Sequence, residues 1–90
     1  MLFMTVYTYE PENRDAIQKR RIEKGAMLPQ AFKMLGEWSS LAGHQVFRLF
    51  EGDDPKGFLA GAMAWTDLGK LEAYPVIPTE EMIQLIAGKK

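Results

Sequence analysis

The chain has 90 residues, of which 47% are hydrophobic and 26% are charged, and its formal net charge is -1. These values are ordinary for one globular domain over residues 1–90, and they argue against a protein built mainly to bind nucleic acid. With no cysteine and one histidine, the chain offers neither a disulfide framework nor a closed zinc site, so no metal and no cofactor are expected.

The sequence also indicates where the protein resides and how much surface its core can bury. No apolar run approaches the roughly 20 residues of a membrane span, and the segment MLFMTVYTYE lacks a basic leader and a cleavage site. We therefore expect a cytoplasmic protein with no membrane partner. A chain this short buries only about 60 to 65% of its unfolded surface, so a second copy is a common source of further burial.

The first two predicted elements are a strand and a helix. Residues Leu2 to Tyr9 are rich in β-branched and aromatic types, and both alternating faces of this strand are apolar or aromatic. The segment PENRD then supplies Pro11 and a candidate helix cap at Asn13. The helix is expected to run to about Lys24, because Gly25 suits a left-handed position at a helix end.

The remaining elements follow from turn residues and helix starts. They are strands at Phe32–Ser39 and Gln45–Glu51, a helix after Asp54, a strand at about Lys70–Ile77 and a short helix after Thr79. The first two of these strands flank SLAGH, a hairpin loop in which Gly43 is available for a positive φ. Asp54 followed by Pro55 is a typical helix start, and the helix is expected to continue through KGFLAGAMAW.

This order, βαββαβ plus a short C-terminal helix, predicts an α+β fold of the ferredoxin-like type. Its antiparallel strands would have the order 4-1-3-2, with both main helices on one face. The fourth strand is then an edge, where Pro75 is tolerated although it has no N–H to donate. The second sheet face would be uncovered, although the first strand is apolar on both sides. We therefore expect a homodimer built through the sheet faces.

Several segments together resemble a known family. They are NRDA at 13–16, KMLGEW at 33–38, DDP at 53–55, and WTDL at 65–68 leading to LEAYPVI at 71–77. These segments resemble a small bacterial family of unknown function, domain of unknown function 3303, and the resemblance spans nearly the whole chain. The family is similar to dimeric α/β barrels, in which two such sheets pack face to face. That superfamily includes cofactor-independent monooxygenases, haem-degrading enzymes, isomerases and sensory domains, so membership leaves the function open.

The hairpin loop also predicts which side chains face each other across the second and third strands. Positions that sum to 85 are paired, which places Glu37 opposite Arg48. The other predicted pairs are Leu35 with Phe50 and Trp38 with Phe47. An ion pair between Glu37 and Arg48 would satisfy a charge on an inner strand, where an unpaired charge is costly.

The alternation of side chains along the strands assigns them to two sheet faces. One is apolar and is expected beneath the helices; it comprises Met34, Trp38, Phe47 and Leu49 together with Leu2, Met4 and Val6. The other is mixed and is expected to line a pocket between the sheets of two protomers; it comprises Thr5, Tyr7, Glu37, Arg48, Glu72 and Tyr74. We take Tyr7, Glu37, Arg48 and Tyr74 as the candidate ligand-binding residues, whereas no catalytic residue can be assigned.

Each candidate also has a structural interpretation. Arg48 with Glu37 is either an ion pair at the dimer interface or a ligand anchor, and the two tyrosines are either interface residues or acid–base groups. The basic run KRR at residues 19–21 indicates a solvated helical face rather than a nucleic-acid site. His44, placed in a turn, could serve as an axial haem ligand only if its loop folded toward the pocket.

Three functions remain compatible with the sequence. The first is a homodimeric protein that binds a small organic ligand, and the second is a cofactor-independent monooxygenase or isomerase that uses the same pocket. The third is a purely structural or regulatory dimer. A pocket of a few hundred cubic ångströms favours the first two, and a filled interface favours the third.

Overall fold

The structure is a computed structural model, and it describes residues 1–29 and 31–88. In chain order its elements are β1 (Leu2–Tyr9), α1 (Arg14–Lys24), β2 (Lys33–Ser39), β3 (Gln45–Glu51), α2 (Pro55–Ala62), β4 (Gly69–Val76) and α3 (Thr79–Gly88). A short 3-10 turn, Pro11–Asn13, leads into α1. The strands form one antiparallel sheet in the order β2-β3-β1-β4. The predicted ferredoxin-like order is confirmed.

The edge position of β4 accounts for its proline. Pro75 pairs with Phe3 of β1, and β4 has no strand on its other side in the described chain. Proline has no N–H to donate to a ladder, and within sheets it is found mainly in edge strands such as β4.

The helix ends follow the local signals in two of three cases. The side chain of Asp54 accepts a hydrogen bond from the N–H of Lys56 at 3.1 Å, which caps α2. Gly25 has φ 72° and closes α1. Asn13 makes no capping bond; its Nδ2 instead donates to the carbonyl of Leu68 at 3.0 Å, which ties the start of α1 to the segment before β4.

The second helix is shorter than the sequence pattern predicted. It ends at Ala62, and the chain then continues through turns to β4. In these turns the N–H of Ala64 donates to the carbonyl of Gly61 and that of Trp65 to the carbonyl of Ala62, at 3.2 and 3.0 Å. Hydrogen bonds between residues three positions apart form a 3-10 turn, which is tighter than an α-helix and is common where a helix ends.

The helices cover the sheet face that was predicted to be open. Thr5 and Tyr7 are 1% and 8% exposed beneath α1 and α2. The predicted assignment of the two faces is therefore wrong. Alternation along a strand separates its two faces but does not say which one meets the helices.

Two clusters of apolar side chains pack beneath the helices. One is formed by Tyr7, Ile17 and Trp65, and the other by the aromatic rings of Phe3, Phe32, Phe50 and Phe58. The neighbouring ring centroids in the second cluster lie between 5.3 and 6.5 Å apart. These distances are typical of tilted and edge-to-face aromatic pairs, which stabilise a core beyond the area they bury.

The opposite face of the sheet is apolar along the inner strands β1 and β3, and it carries no helix in the described chain. Cross-strand rows place Phe47 beside Val6 and Leu49 beside Met4, and all four are only partly buried. Trp38 at 55% and Tyr74 at 48% exposure complete this surface, which we call the open face.

One predicted cross-strand pair is displaced by a bulge. Glu37 pairs with Arg48 and Trp38 with Phe47 as expected, but Phe50 pairs with Met34 rather than with Leu35. The register shifts between Met34 and Gly36, which leaves Leu35 without a partner across the ladder. A bulge of one residue near the end of a hairpin changes the pairing beyond it but not the pairing before it.

The C-terminal helix α3 extends from the rest of the chain. Its apolar side chains Met82, Ile83, Leu85 and Ile86 are between 43% and 62% exposed, and none of its residues is buried. The radius of gyration is 15.3 Å, whereas a compact chain of this length is expected to have roughly 12 Å. Among the described residues, no helix is long and apolar enough to cross a membrane.

The close approach of α2 to the loop at Pro29 gives a test of this packing. A Cβ atom at Gly61 would lie 2.5 Å from the Cα of Pro29, whereas one at Gly88 of α3 would meet no atom within 4 Å. We expect Gly61→Ala to lower the free energy of unfolding by about 1 to 3 kcal/mol. Gly88→Ala is the matched control and should leave it unchanged or raise it by less than about 1 kcal/mol. Urea denaturation measures both, and an equal effect of the two changes would contradict the described contact.

Candidate functional site

A cavity of ≈ 610 Å³ lies between the sheet and the two helices α1 and α2. The sheet contributes Thr5, Tyr7, Val46, Arg48 and Leu71 to its wall, and the helices contribute Ile17, Arg21, Phe58 and Ala62. Exposed lining residues such as Gln18 and Ile22 mark its open side. Tyr7, Glu37 and Arg48, which the sequence pattern assigned to a pocket between two sheets, line this cavity beneath the helices of one chain.

Three charged side chains, Arg21, Glu37 and Arg48, form a hydrogen-bonded cluster in the wall of this cavity. Arg48 Nε donates to Glu37 Oε2 at 2.6 Å, so the predicted cross-strand ion pair is confirmed. Arg21 of α1 donates through both terminal nitrogens to the two oxygens of Glu37, each at 2.8 Å. The carboxylate of Glu37 thus joins the first helix to the middle of the sheet.

The local sequence explains why these three groups meet. The hairpin register between β2 and β3 sets Glu37 beside Arg48, and the bulge lies beyond this pair. On α1, Arg21 follows Ile17 by four residues, so both side chains lie on the helix face that meets the sheet. Ile17 is 8% exposed and packs in the core, which brings Arg21 over β2.

The two arginines control the protonation of Glu37. Its pKa is lowered from 4.5, first by the hydrogen bonds from Arg21 and then by Arg48, although burial acts in the opposite direction. Glu37 is therefore a carboxylate at neutral pH and acts as an acceptor only.

Arg48 keeps donors that its neighbours do not use. Its side chain is 16% exposed, and its Nε bonds Glu37. Its two terminal nitrogens have no hydrogen-bond partner among residues 1–29 and 31–88. Neither nitrogen is fully buried. These nitrogens are available to a group inside the cavity.

Tyr7 lies at the other side of the cavity and has a fixed hydroxyl. Its Oη donates to the carbonyl of Trp65 at 2.6 Å, and burial, reinforced by Asp67, raises the pKa of Tyr7 to about 12. A Cβ atom at Gly69 would approach the Tyr7 ring to 2.6 Å, so the glycine at the start of β4 makes room for the ring. Tyr7 is a neutral part of the wall at physiological pH.

Tyr74 is the one candidate residue that the structure does not bring to the cavity. It pairs with Met4 and lies on the open face, where its hydroxyl donates to Glu72 at 2.7 Å. That hydrogen bond raises the pKa of Tyr74. Placing Tyr74 and Glu72 on the face of Tyr7 was wrong, because β1 pairs even-numbered residues of β4 with its own even-numbered residues.

The basic run in α1 was predicted to be a solvated face, but two of its three residues form ion pairs. Arg20 binds both oxygens of Asp67, at 2.7 and 2.8 Å, and lies 5.7 Å from the centre of the Trp65 ring. Arg21 binds Glu37. The sequence places Arg21 four residues from Ile17, on the same side of α1, but it does not show that this side meets the sheet.

His44 does not line the cavity. It adopts φ 69° in the hairpin turn and packs edge-on against Tyr9, with 5.6 Å between ring centroids. In the described part of the chain, no three His, Asp or Glu side chains are grouped as a metal site requires. The expectation that no metal or cofactor is bound stays a prediction.

The sequence profile of domain of unknown function 3303 (DUF3303) matches residues 1–90. The chain belongs to the DUF3303 family. The resemblance inferred from the short segments is thus confirmed over the whole length of the sequence. No curated protein matches this DUF3303 chain significantly.

A solved structure with a similar arrangement comes from Deinococcus radiodurans. It is described as a presumed antibiotic biosynthesis monooxygenase, and it shares 10% sequence identity with this DUF3303 chain. The superposition covers 87% of this chain and 94% of the other, with a TM-score of 0.48.

The pKa of Glu37 predicts how stability depends on pH. Because the carboxyl has a lower pKa in the folded protein than its usual 4.5, its contribution is complete above pH 4.5 and is lost as the pH falls through the folded value. We expect Glu37→Gln to lower the free energy of unfolding by about 1 to 3 kcal/mol at pH 7, and by progressively less below pH 4.5. Urea denaturation between pH 7 and pH 3 measures this difference.

The matched control is Glu23→Gln, in the helix α1. Glu23 is exposed and forms no ion pair with the described residues, so its replacement should change the stability at pH 7 by less than about 0.5 kcal/mol. A Glu37→Gln effect that stays constant from pH 7 to pH 3 would contradict the ion-pair cluster.

Proposed function

We propose that this DUF3303 protein is a homodimer that binds a small organic ligand in the cavity between its sheet and its helices. The cavity is the observation that carries the proposal. Protein interiors are normally closely packed, and a void of this size forfeits contacts that would stabilise the fold. Its volume of ≈ 610 Å³ lies within the range of about 300 to 1,000 Å³ that is typical of ligand sites.

The walls of the cavity match such a site in chemistry as well as in size. Tyr7, Ile17, Phe50, Phe58 and Trp65 give it aromatic and aliphatic surfaces. The charged cluster around Glu37 is concentrated on one side. Ligand sites commonly combine a mostly apolar wall with a few polar groups that orient the bound molecule.

An acid–base role for Tyr7 is not part of this proposal. Its hydroxyl is engaged with the carbonyl of Trp65, and its pKa of about 12 keeps it protonated at neutral pH. A general base needs a pKa near the working pH. Tyr7 contributes to binding through its ring.

The dimer is supported by the uncovered apolar surface. The chain exposes 6538 Å², whereas a compact monomer of this mass is expected to expose roughly 5,300 Å². The difference of roughly 1,200 Å² exceeds the roughly 800 Å² that each partner buries in a standard interface. The open face and the apolar side of α3 supply this surface, and a second copy of the chain presents the same two features.

Ligand binding can be tested with an uncharged fluorescent probe. We expect N-phenyl-1-naphthylamine to bind with one site per chain and a strong increase in fluorescence. Val46→Phe places a larger side chain in the cavity, so it should weaken binding by roughly tenfold or more. Leu41→Phe, in the exposed hairpin turn, is the matched control and should bind as the wild type does. Absence of probe binding, or equal binding by both variants, would refute a ligand site in this cavity.

The dimer can be tested by sedimentation. At micromolar concentration we expect a species of twice the 10.2 kDa chain mass. Leu49→Glu introduces a charge into the open face and should produce monomers, because a buried unpaired charge disfavours the interface. Leu41→Glu adds the same charge at a fully exposed position and should leave the dimer intact. A wild-type monomer, or dissociation by both variants, would contradict assembly through the open face.

A further inference from the structure

We propose that the ligand is an apolar molecule with a single carboxylate, and that Arg48 binds this carboxylate through its two terminal nitrogens. This inference rests on the proposed ligand site and specifies what the site recognises. Three observations support it: the charge of the cavity wall, the geometry of Arg48 and the mainly apolar character of the remaining wall.

The wall of the cavity is positively charged in a protein whose net charge is -1. In the described chain, the charged residues of the wall are Arg14, Arg21, Arg48 and Glu37. Arg14 forms its own pair with Asp15, at 3.2 Å. Glu37 neutralises one of the two remaining arginines, so a single positive charge is left in the cavity. A partly enclosed charge of this kind favours an anionic ligand with one negative charge.

Arg48 presents this charge in a fixed orientation. Its Nε is held by Glu37 at 2.6 Å, and Glu37 is itself held by two bonds of 2.8 Å from Arg21. The edge of the guanidinium formed by its terminal nitrogens is the one that remains free. Two parallel N–H donors on such an edge match the two oxygens of a carboxylate, which a lysine or a neutral amide cannot reproduce. Glu37 and Arg21 are positioning residues in this arrangement.

The rest of the ligand must be mainly apolar, because most of the residues that line the cavity are apolar. Ile17, Trp65 and Leu71 lie on the side of Tyr7, and Phe50 and Phe58 lie on the side of the aromatic cluster. A second charged group on the ligand would meet no free partner among these described residues and would be costly to desolvate. The site therefore selects an aryl or alkyl carboxylate over a dianion or a polar metabolite.

The experiment compares two probes of the same shape. Naphthalene-1-carboxylate is ionised at pH 7, whereas naphthalene-1-carboxamide is neutral, and calorimetry measures the affinity of each for the full chain. We expect the carboxylate to bind roughly tenfold or more tightly than the amide. Arg48→Met should weaken the carboxylate by a similar factor and change the amide by less than about threefold. Arg48→Lys keeps the charge but not the paired donors. Its affinity for the carboxylate should therefore lie between those of the wild type and Arg48→Met.

Lys24→Met is the matched control for net charge. Lys24 is exposed at the end of α1 and does not line the cavity, so this variant should bind both probes as the wild type does. An equal loss in Lys24→Met and Arg48→Met would show a general charge effect and overturn the role of Arg48. If Arg48→Met does not fold, the role of Arg48 is decided by two measurements: the preference of the wild type for the carboxylate over the amide, and the loss of that preference in Arg48→Lys.

The failures of the two proposals are distinguishable. If N-phenyl-1-naphthylamine binds but the carboxylate and the amide bind equally, or neither binds, the ligand site stands and the carboxylate preference is overturned. If none of the three probes binds, the proposed ligand site itself is refuted. A carboxylate preference that survives in Arg48→Met also overturns this inference.

Discussion

The carboxylate of Glu37 is the link on which the arrangement of the helix layer depends. It accepts hydrogen bonds from Arg21 of α1 and from Arg48 of β3, so one side chain of β2 connects a helix to two neighbouring strands. The second attachment of this layer is the hydroxyl of Tyr7, which donates to the carbonyl of Trp65. Between these two polar attachments the helices do not pack closely on the sheet, and the cavity occupies the space.

Partly buried ion pairs are an unusual way to hold a helix on a sheet. The cost of removing charges from water often offsets their attraction, so apolar side chains of the same volume would stabilise the contact at least as well. Long arginine side chains, however, span a gap that close apolar packing would eliminate. The cluster thus connects stability with the proposed function, because the groups that hold α1 also orient the free edge of Arg48.

The two faces of the sheet differ in how their apolar side chains are covered. Beneath the helices, the carboxylate of Glu37 and the hydroxyl of Tyr7 have hydrogen-bond partners within the chain, and the two clusters around Tyr7 and Phe58 supply the apolar packing. On the open face, Met4, Val6, Phe47 and Leu49 present an apolar surface with no covering element in the described chain. One sheet therefore faces two different environments: an internal cavity on one side, and an exposed apolar surface on the other.

The order of the elements, the edge position of Pro75 and the pairing of Glu37 with Arg48 were determined by the sequence itself. Each depends on local signals, namely turn residues, alternation within a strand and a short hairpin loop that specifies its own register. The tertiary structure alone decided which face the helices cover, that Arg21 completes the cluster, and that Tyr74 lies with Met4. β1 and β4 are distant in the chain and share no hairpin, so no loop determined their register. The covered face was misassigned because hydrophobicity marks a face that will be buried, whether by helices of the same chain or by another surface.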